Sequence, residues 1–443
     1  MNIRLSDHFS YRRLMHFVLP SILMMIVTSV YSIVDGFFVS NFVGKNPFAA
    51  VNLIMPLIMA LGAFGFMIGT GGSALVAKTL GEGHREKANQ YFSMLIYVTV
   101  VVGVVLSAVG FIFLRPIAVV LGASDAMLDD CILYGRILLA ANTTFMLQNC
   151  FQSFLVTAEQ PRLGLMISII AGLSNVVLDF LLVYVFPFGL AGAAVATAVS
   201  QTVGAVIPLV YFLRGRGCAL RLTRARFDGR ALLKSCANGS SEMLTNVSTS
   251  FVSMLYNLQL MQIAAENGVA AYGVIMYVNF IFMAFYFGFS IGSSPVISYH
   301  YGADNREELK GLFRKSLVII SIAAVTMTIL AEVLARPLSG LFVGYDAELF
   351  EMTCTAFRLY SLSFLVAGFN IFGSAFFTAL NNGVLSAVIS FLRTLVLQIA
   401  AILILPVLFG ENGIWIALAV AEALTLLVTT GLLIKKRKQY HYA

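Results

Sequence analysis

The sequence predicts an all-α integral membrane protein with twelve transmembrane helices in two six-helix bundles, related by a pseudo-two-fold axis along the membrane normal. Three observations predict this fold: an apolar composition, the number of apolar stretches and a repeat within the chain. Of 443 residues, 59% are hydrophobic and 11% are charged, with a mean hydropathy of +0.90, whereas soluble domains are about half apolar and a quarter charged. The composition therefore excludes a chain of soluble domains and favours the bilayer as solvent.

Each predicted helix is an apolar stretch bounded by glycine, proline or charged residues. One crossing of the bilayer needs ~20 such residues, and twelve stretches meet that length. Because twelve is even, both termini are expected on the same side of the membrane. The stretches cover 14–39, 52–79, 92–114, 128–157, 162–186, 190–213, 232–262, 268–299, 314–335, 350–379, 384–408 and 413–434.

The distribution of lysine and arginine predicts the orientation. The two termini and the connections on their side of the membrane hold 22 of the 28 basic residues, and positive charge stays in the cytoplasm. Both termini are therefore expected inside the cell, in a multi-pass protein of the inner (plasma) membrane. The connection over 214–234 carries seven basic residues and one acid, Asp228. The predicted domains are an N-terminal lobe (1–213), a basic cytoplasmic linker (214–231) and a C-terminal lobe (232–443).

The second half of the chain repeats the first at a constant offset in residue number, close to half of the chain length. Gly81 coincides with Gly302, Gly189 coincides with Gly410, and further landmarks between these pairs keep the same offset. Each unit holds six helices, so the two units have the same orientation and an axis along the membrane normal relates them. This arrangement is found in transporters whose halves rock around a central site.

Two acids inside predicted helices attract particular interest, because a charge at membrane depth costs ~2.5–3.5 kcal/mol. Asp179 lies eight residues before the turn at 187–189, and Thr197 lies eight residues after it. Since an α-helix rises by about 1.5 Å for each residue, both side chains share one depth of the helical hairpin. Asn175 is one turn from Asp179 on the same helix face, and Asp35 lies at a similar depth in helix 1.

Two carboxylates close together in a low dielectric share a proton or a cation. We therefore predict that Asp35, Asn175, Asp179 and Thr197 form a site that couples H⁺ or Na⁺ movement to a conformational change, with no other metal and no cofactor. The alternative is that each acid pairs with a polar neighbour and only fixes helix packing. The repeat favours coupling because it does not preserve the acids: Asp35 aligns with Tyr256.

Helices 4 and 7 carry more polar side chains than lipid can solvate. They predict a polar substrate cavity between the lobes, for which hydrogen bonding between helices is the competing explanation. Arg393 and Glu422 are expected to form a structural ion pair. Pro20 is a predicted hinge in helix 1, with a static kink as the equal alternative. The predicted cavity residues are Gln148, Asn149, Gln152, Gln201, Glu242 and Asn246.

Three segments of the chain resemble the multidrug and toxic compound extrusion (MATE) transporters. They are the run from Leu-Pro-Ser to Val-Asp over 19–35, the GTGGSALVA and LGEG motifs over 69–83, and GLAGAAVAT over 189–197. The resemblance covers the whole chain, including its repeat. It implies two six-helix bundles forming a V and the export of organic cations by H⁺ or Na⁺ antiport.

The resemblance also carries over to single residues. In the proton-linked and archaeal-type branch of that family, the cation site of the N-terminal lobe matches the four coupling residues predicted above, and a bending proline matches Pro20. The norfloxacin-exporter branch instead uses acids on helices 7 and 10. Glu242 matches the first of these, but helix 10 has no acid beyond Glu351 at its end.

The predicted function is a secondary active exporter of amphipathic, often cationic compounds, working by H⁺ or Na⁺ antiport through alternating access, and not an enzyme. The alternative is a lipid-linked oligosaccharide flippase of the same broad superfamily, which needs a more cationic cavity than Arg393 alone supplies. An intramembrane enzyme is a remote alternative, since no histidine lies deep enough for a catalytic or metal cluster. The expected partners are small molecules and membrane lipids, without nucleic acid, and the expected working state is a monomer.

Overall fold

A computed structural model describes residues 3–215 and 219–442 of the chain. In these two ranges the regular structure is helical throughout, without strands. The thirteen α-helices found there are α1 (Tyr11–Phe38), α2 (Lys45–Gly81), α3 (Arg85–Val120), α4 (Asp125–Thr157), α5 (Pro161–Asp179), α6 (Gly189–Arg214), α7 (Gly229–Gly302), α8 (Arg306–Val343), α9 (Ala347–Ser361), α10 (Phe364–Ala379), α11 (Gly383–Phe391), α12 (Gln398–Phe409) and α13 (Glu411–Tyr440).

These helices make twelve membrane crossings. Nine spans in the described ranges are long and apolar enough to cross a bilayer, and the bent pair α9–α10 forms a tenth. The 74-residue α7 supplies two crossings, because Ala265 (φ 49°, ψ −144°) breaks the helix and both ends of α7 pack against α2. The remaining crossing is α4, whose 33 residues are long enough to span the bilayer but are more polar than the other spans. The prediction of twelve transmembrane helices is confirmed.

The backbone repeats together with the sequence. Gly189 and Gly410, which coincide in the repeat, stand at the start of α6 and of α13, the last helix of each half. Their φ angles are 59° and 60°, a left-handed conformation that glycine adopts without steric cost. The same turn is thus built twice, as expected for two copies of one six-helix unit.

One predicted helix is in fact broken. The span predicted over 350–379 consists of α9 and α10, which meet at an angle of 43°. At the bend, the Ser361 hydroxyl lies 2.8 Å from the Arg358 carbonyl oxygen and 2.8 Å from Glu332 Oε1. A serine hydroxyl that bonds to the backbone competes with the helical hydrogen bonds, so the predicted span contains a bend that the sequence did not indicate.

Three other spans contain a π-helical turn, two of them inside a predicted helix and the first one at the predicted end of helix 1. These turns are Val39–Val43 after α1, Phe180–Val185 after α5 and Leu392–Leu397 between α11 and α12. Asp35 lies four residues before the first turn, Asp179 adjoins the second, and Arg393 lies in the third. Each wide turn shifts the phase of the helix and is typical of functional sites.

The two halves are joined at one end of the molecule, which we call the basic face: the end where α1 begins, α2 ends, α7 begins and ends, and α13 ends. There, a Cβ on Gly81 would overlap the Tyr299 carbonyl oxygen, and a Cβ on Gly302 would overlap the Lys78 carbonyl oxygen. Only glycine permits such a close approach of two backbones. We call this contact of α2 with α7 the glycine seam, made by Gly71, Gly81, Gly239 and Gly302.

Candidate functional site

Two carboxyl groups meet between α1, α5 and α6, in the half of the molecule formed by α1 to α6. The Thr197 hydroxyl of α6 donates to Asp35 Oδ1 over 3.4 Å. The side chains of Asp35 and Asp179 are close enough for each to affect the ionisation of the other, and Asp179 is fully buried. The structure thus brings together three of the four residues that the sequence groups as a coupling site.

Both carboxyl oxygens of Asp179 lack a hydrogen-bond donor among the residues that the structure describes. An ionised carboxylate has lone pairs and no hydrogen to donate, so a bond between Asp35 and Asp179 requires a proton on one of them. Two such groups in a low dielectric do not both stay charged without a partner. The chemistry of this pair is therefore that of a site for one exchangeable proton, or for a cation in its place.

Asn175, the fourth predicted residue, lies one helical turn before Asp179 in α5. It is 2% exposed, and its Oδ1 also has no donor within the described ranges. Carboxylate and amide oxygens are the ligands that hard cations prefer. Asn175 therefore adds a buried acceptor that suits Na⁺ as well as a hydrated proton.

Close helix packing holds this site in place. The Ser200 hydroxyl of α6 donates to the Ala171 carbonyl oxygen of α5 over 2.8 Å. A Cβ on Gly172 would lie 2.8 Å from the Tyr31 ring of α1. Because α5 thus contacts both α1 and α6 one to two turns from Asp179, the acids are positioned by a rigid three-helix contact.

Two tyrosines complete the surroundings and were not found from the sequence. Tyr134 of α4 is 1% exposed, its hydroxyl has no partner in the part of the chain that is described, and it interacts with both acids. Tyr31 lies near Asp35 and near the side chains of Thr28 and Gln148. Its spacing of four residues from Asp35 places both on one helix face and was a usable signal, whereas Tyr134 has no comparable signal.

The predicted cavity residues fall into two groups. Gln148, Asn149 and Gln152 are buried in α4, and a Cβ on Gly204 of α6 would lie 2.7 Å from the Gln148 amide. The second group is only partly buried and comprises Gln201 of α6 with Glu242 and Asn246 of α7. The Asn246 amide donates to the Glu242 carbonyl oxygen over 2.8 Å, so this side chain folds back onto its own helix.

Pro20 lies buried inside α1, which continues as a helix on both sides of it. Proline lacks the amide hydrogen that would bond to the carbonyl of His16. The position is fifteen residues from Asp35, about four turns along the same helix. The hinge at Pro20 stays a prediction.

The MatE family model matches the chain twice, over residues 20–181 and again over residues 242–404. The chain belongs to the MatE family. Because the members of this family are transporters, the chain is a membrane transporter and not an enzyme. The starting points of the two MatE matches, residues 20 and 242, are separated by nearly the offset of the sequence repeat.

Individual relatives match almost the whole MatE chain. The multidrug export protein MepA of Staphylococcus aureus (strain MSSA476) is 23% identical over 420 residues, which are 94% of this chain and 91% of MepA. A crystal structure of a MATE protein in complex with MaL6 has a TM-score of 0.93 at 21% identity, covering 99% and 98% of the two chains. The outward-facing structure of a multidrug resistance MATE transporter of the MOP superfamily has a TM-score of 0.92 at 22% identity, covering 99% and 98%.

The second half of this MatE chain also buries an acid, but that acid has a permanent partner. Arg393 Nε donates to Glu422 Oε1 over 2.7 Å, and the two side chains are 11% and 1% exposed. The Asn370 amide donates to Glu422 Oε2 over 2.7 Å, and the Thr429 hydroxyl donates to Asn370 Oδ1 over 2.9 Å. The predicted ion pair is confirmed, and each oxygen of its carboxylate accepts a hydrogen bond.

The norfloxacin-exporter pattern, with acids on helices 7 and 10, fits this MatE chain poorly. The span of α9 and α10 turns the amide of Asn370 toward Glu422, and its acid Glu351 pairs at the surface with Arg336 over 2.8 Å. Glu242 of α7 lies within the electrostatic influence of Arg393. The carboxyl pair without a protein cation is therefore the one formed by Asp35 and Asp179.

Proposed function

We propose that this protein is a multidrug exporter that drives amphipathic, often cationic compounds out of the cell by antiport of H⁺ or Na⁺. The MepA relatives, which are multidrug export proteins, support export as the activity. The observation that carries the coupling is the buried carboxyl of Asp179, which faces Asp35 and has no donor in the described ranges. A fixed structural pair would have such a donor, as Glu422 has in Arg393.

The transport cycle uses the acid pair as a switch. With the N-terminal lobe open to the outside, Asp35 and Asp179 take up H⁺ or Na⁺, which weakens the binding of a cationic compound and releases it. The lobes then tilt, the ion leaves toward the cytoplasm, and the recharged acids attract the next compound. Pro20 acts as the hinge of α1, and the six polar side chains of α4, α6 and α7 line the cavity.

The proposed setting is the inner (plasma) membrane with both termini in the cytoplasm. The basic face then lies inside, in agreement with the excess of lysine and arginine at that end. The lobes comprise 1–213 and 232–443, and 214–231 is the linker. Each chain contains a complete transport unit and works as a monomer among membrane lipids.

A lipid-linked oligosaccharide flippase is the other candidate, and one feature disfavours it. Such a protein must bind a pyrophosphate with free positive charge. The mid-membrane base Arg393 is neutralised by Glu422 at 2.7 Å. Purified protein in vesicles can be tested with ethidium and with a fluorescent lipid-linked sugar, and export of the sugar alone would establish the flippase.

The decisive experiment is efflux of ethidium from vesicles in which pH and Na⁺ gradients are imposed separately. We expect one of the two gradients to drive efflux and the other to have no effect. Efflux that is equally fast without either gradient would overturn coupled antiport.

A further inference from the structure

The segment that precedes α1 ties the two halves of the molecule together at the basic face. We call residues 3–10 the strap. The Leu5 amide N–H donates to Glu159 Oε1 over 2.7 Å, and the Phe9 amide N–H donates to Glu308 Oε1 over 2.9 Å. Glu159 follows α4 in the first half, whereas Glu308 lies in α8 of the second half. One short segment therefore bonds to both halves.

The strap is buried as well as hydrogen-bonded. Leu5 is 1% exposed and Phe9 is 0% exposed, and both belong to the hydrophobic core of the second half. The Phe9 ring packs edge-on against Phe17 at 5.8 Å and against His300 at 6.3 Å. His300 is the neighbour of Tyr299, which forms the glycine seam with Gly81. The strap thus packs against a residue adjacent to the seam.

Both carboxylate oxygens of Glu308 bind the strap. Glu308 lies in the first turn of α8, where its amide N–H donates a hydrogen bond to Asn305 Oδ1 over 3.1 Å. In a capping box, a glutamate at this position would reach back to the amide of the capping residue. Here its second oxygen instead binds His8 Nδ1 at 2.6 Å. Two turns along α8, Lys315 Nζ donates to the Phe9 carbonyl oxygen over 2.5 Å.

This arrangement restricts how the halves can move. The strap continues into α1, which packs against α5 of the first half and bonds there through Asp35 and Thr197. If the halves part at the basic face, either the bonds from Glu308 to the strap break together with the packing of α1 on Gly288 and Gly292 of α7, or α1 loses its contacts within its own half. The strap bonds lie at the end of the bundle, whereas the contacts of α1 with α5 and α6 extend along the helix.

We propose that the strap is an interlobe clasp of the transport cycle and that Glu308 is its positioning residue: the strap must leave Glu308 before the glycine seam opens. This inference rests on the proposed alternating access for its role in transport, but the clasp itself is a conformational property. It can therefore be measured without any transport assay.

The test is hydrogen–deuterium exchange of the full chain in nanodiscs, read at the strap and at residues 299–302. We expect Glu308→Gln to raise exchange in both segments by about three- to tenfold, since the bonds to Phe9 and His8 lose the carboxylate charge that strengthens them. Glu307→Gln is the matched control, because Glu307 is exposed on the same turn of α8, and it should leave both segments unchanged. Deletion of residues 2–9 tests the same point without altering α8 and should raise exchange at 299–302.

The clasp would be overturned if Glu308→Gln raised exchange in the strap but not at 299–302, and if the deletion variant also left exchange at 299–302 unchanged. Ethidium efflux measured on the same samples separates this outcome from failure of the proposed function. If the wild-type protein shows no coupled efflux but the seam responds to Glu308→Gln, export is wrong and the clasp stands. If efflux is coupled and the seam does not respond, the clasp is wrong and export stands.

Discussion

The Thr197 hydroxyl donates to Asp35 Oδ1 over 3.4 Å and so links α6 to α1 beside the buried carboxyl of Asp179. The bond is long, which is typical of a weak hydrogen bond. It supplies one donor to a pair of acids that otherwise share only a proton or a cation. The strength of ion binding at the pair should therefore depend on this hydroxyl.

Replacing either acid by its amide should abolish coupling. Asp35→Asn or Asp179→Asn removes the charge that binds the ion but nearly preserves side-chain volume, so gradient-driven ethidium efflux should fall to the level of empty vesicles. The amount of folded protein in the membrane should not change. Asp129→Asn, at an exposed position in the first turns of α4, is the control. Wild-type rates in both site variants would refute the coupling mechanism.

Removing the Thr197 hydroxyl should weaken ion binding without abolishing transport. Thr197→Val keeps the shape of the side chain and loses one hydrogen bond, so we expect the apparent affinity for the coupling ion to fall by about two- to tenfold. The ion dependence of efflux measures this change. Thr197→Ser retains the hydroxyl and should behave like the wild type; an equal loss in both variants would mean that packing, and not the hydroxyl, matters at this position.

The Arg393–Glu422 pair should matter for stability and not for coupling. Arg393→Met leaves a buried carboxylate without a partner and should lower the free energy of unfolding by about 3–5 kcal/mol. The double variant Arg393→Met/Glu422→Gln removes both charges but keeps an acceptor for Asn370, so it should recover most of that loss. Unfolding in detergent measures both effects. A stable double variant without coupled efflux would show that the pair takes part in transport.

A methyl group in the glycine seam should force α2 away from α7. In Gly81→Ala the new Cβ would overlap the Tyr299 carbonyl oxygen, and such overpacking costs about 1–3 kcal/mol. The thermal midpoint should therefore fall. Gly431→Ala in α13 meets no atom within 4 Å and should be neutral or stabilising by about 0.5–1 kcal/mol. Equal effects of the two substitutions would contradict close contact at the seam.

Much of the acid pair could be predicted from the sequence because helix geometry converts residue counts into depth. Asp179 and Thr197 stand equally far from one turn, and this arithmetic needs no knowledge of packing. Tyr134 could not be found in this way, because its position depends on the rotation of α4 against α1 and α5. Tertiary contacts that fix such rotations leave no local pattern in the sequence.

The irregular parts of the backbone could not be predicted from the sequence either. The π-helical turns near Asp35, Asp179 and Arg393 contain no proline or glycine and share no sequence pattern: one is wholly apolar, whereas the other two include polar residues. The break between α9 and α10 involves Ser361, and serine occurs in many unbroken helices here. The strap could not be predicted because residues 3–10 have no hydrophobic periodicity. Their burial depends on partners in distant parts of the chain, Glu159 and Glu308.

Backbone-to-backbone contact at the glycine seam has a consequence for repeated motion. A joint lined with long side chains must freeze their rotamers whenever it forms, at up to ~2 kcal/mol for each flexible side chain. Glycine has no rotamers to freeze. If the halves part during transport as we propose, the two faces can meet and separate with little entropic resistance, and neither needs to find a new side-chain arrangement first.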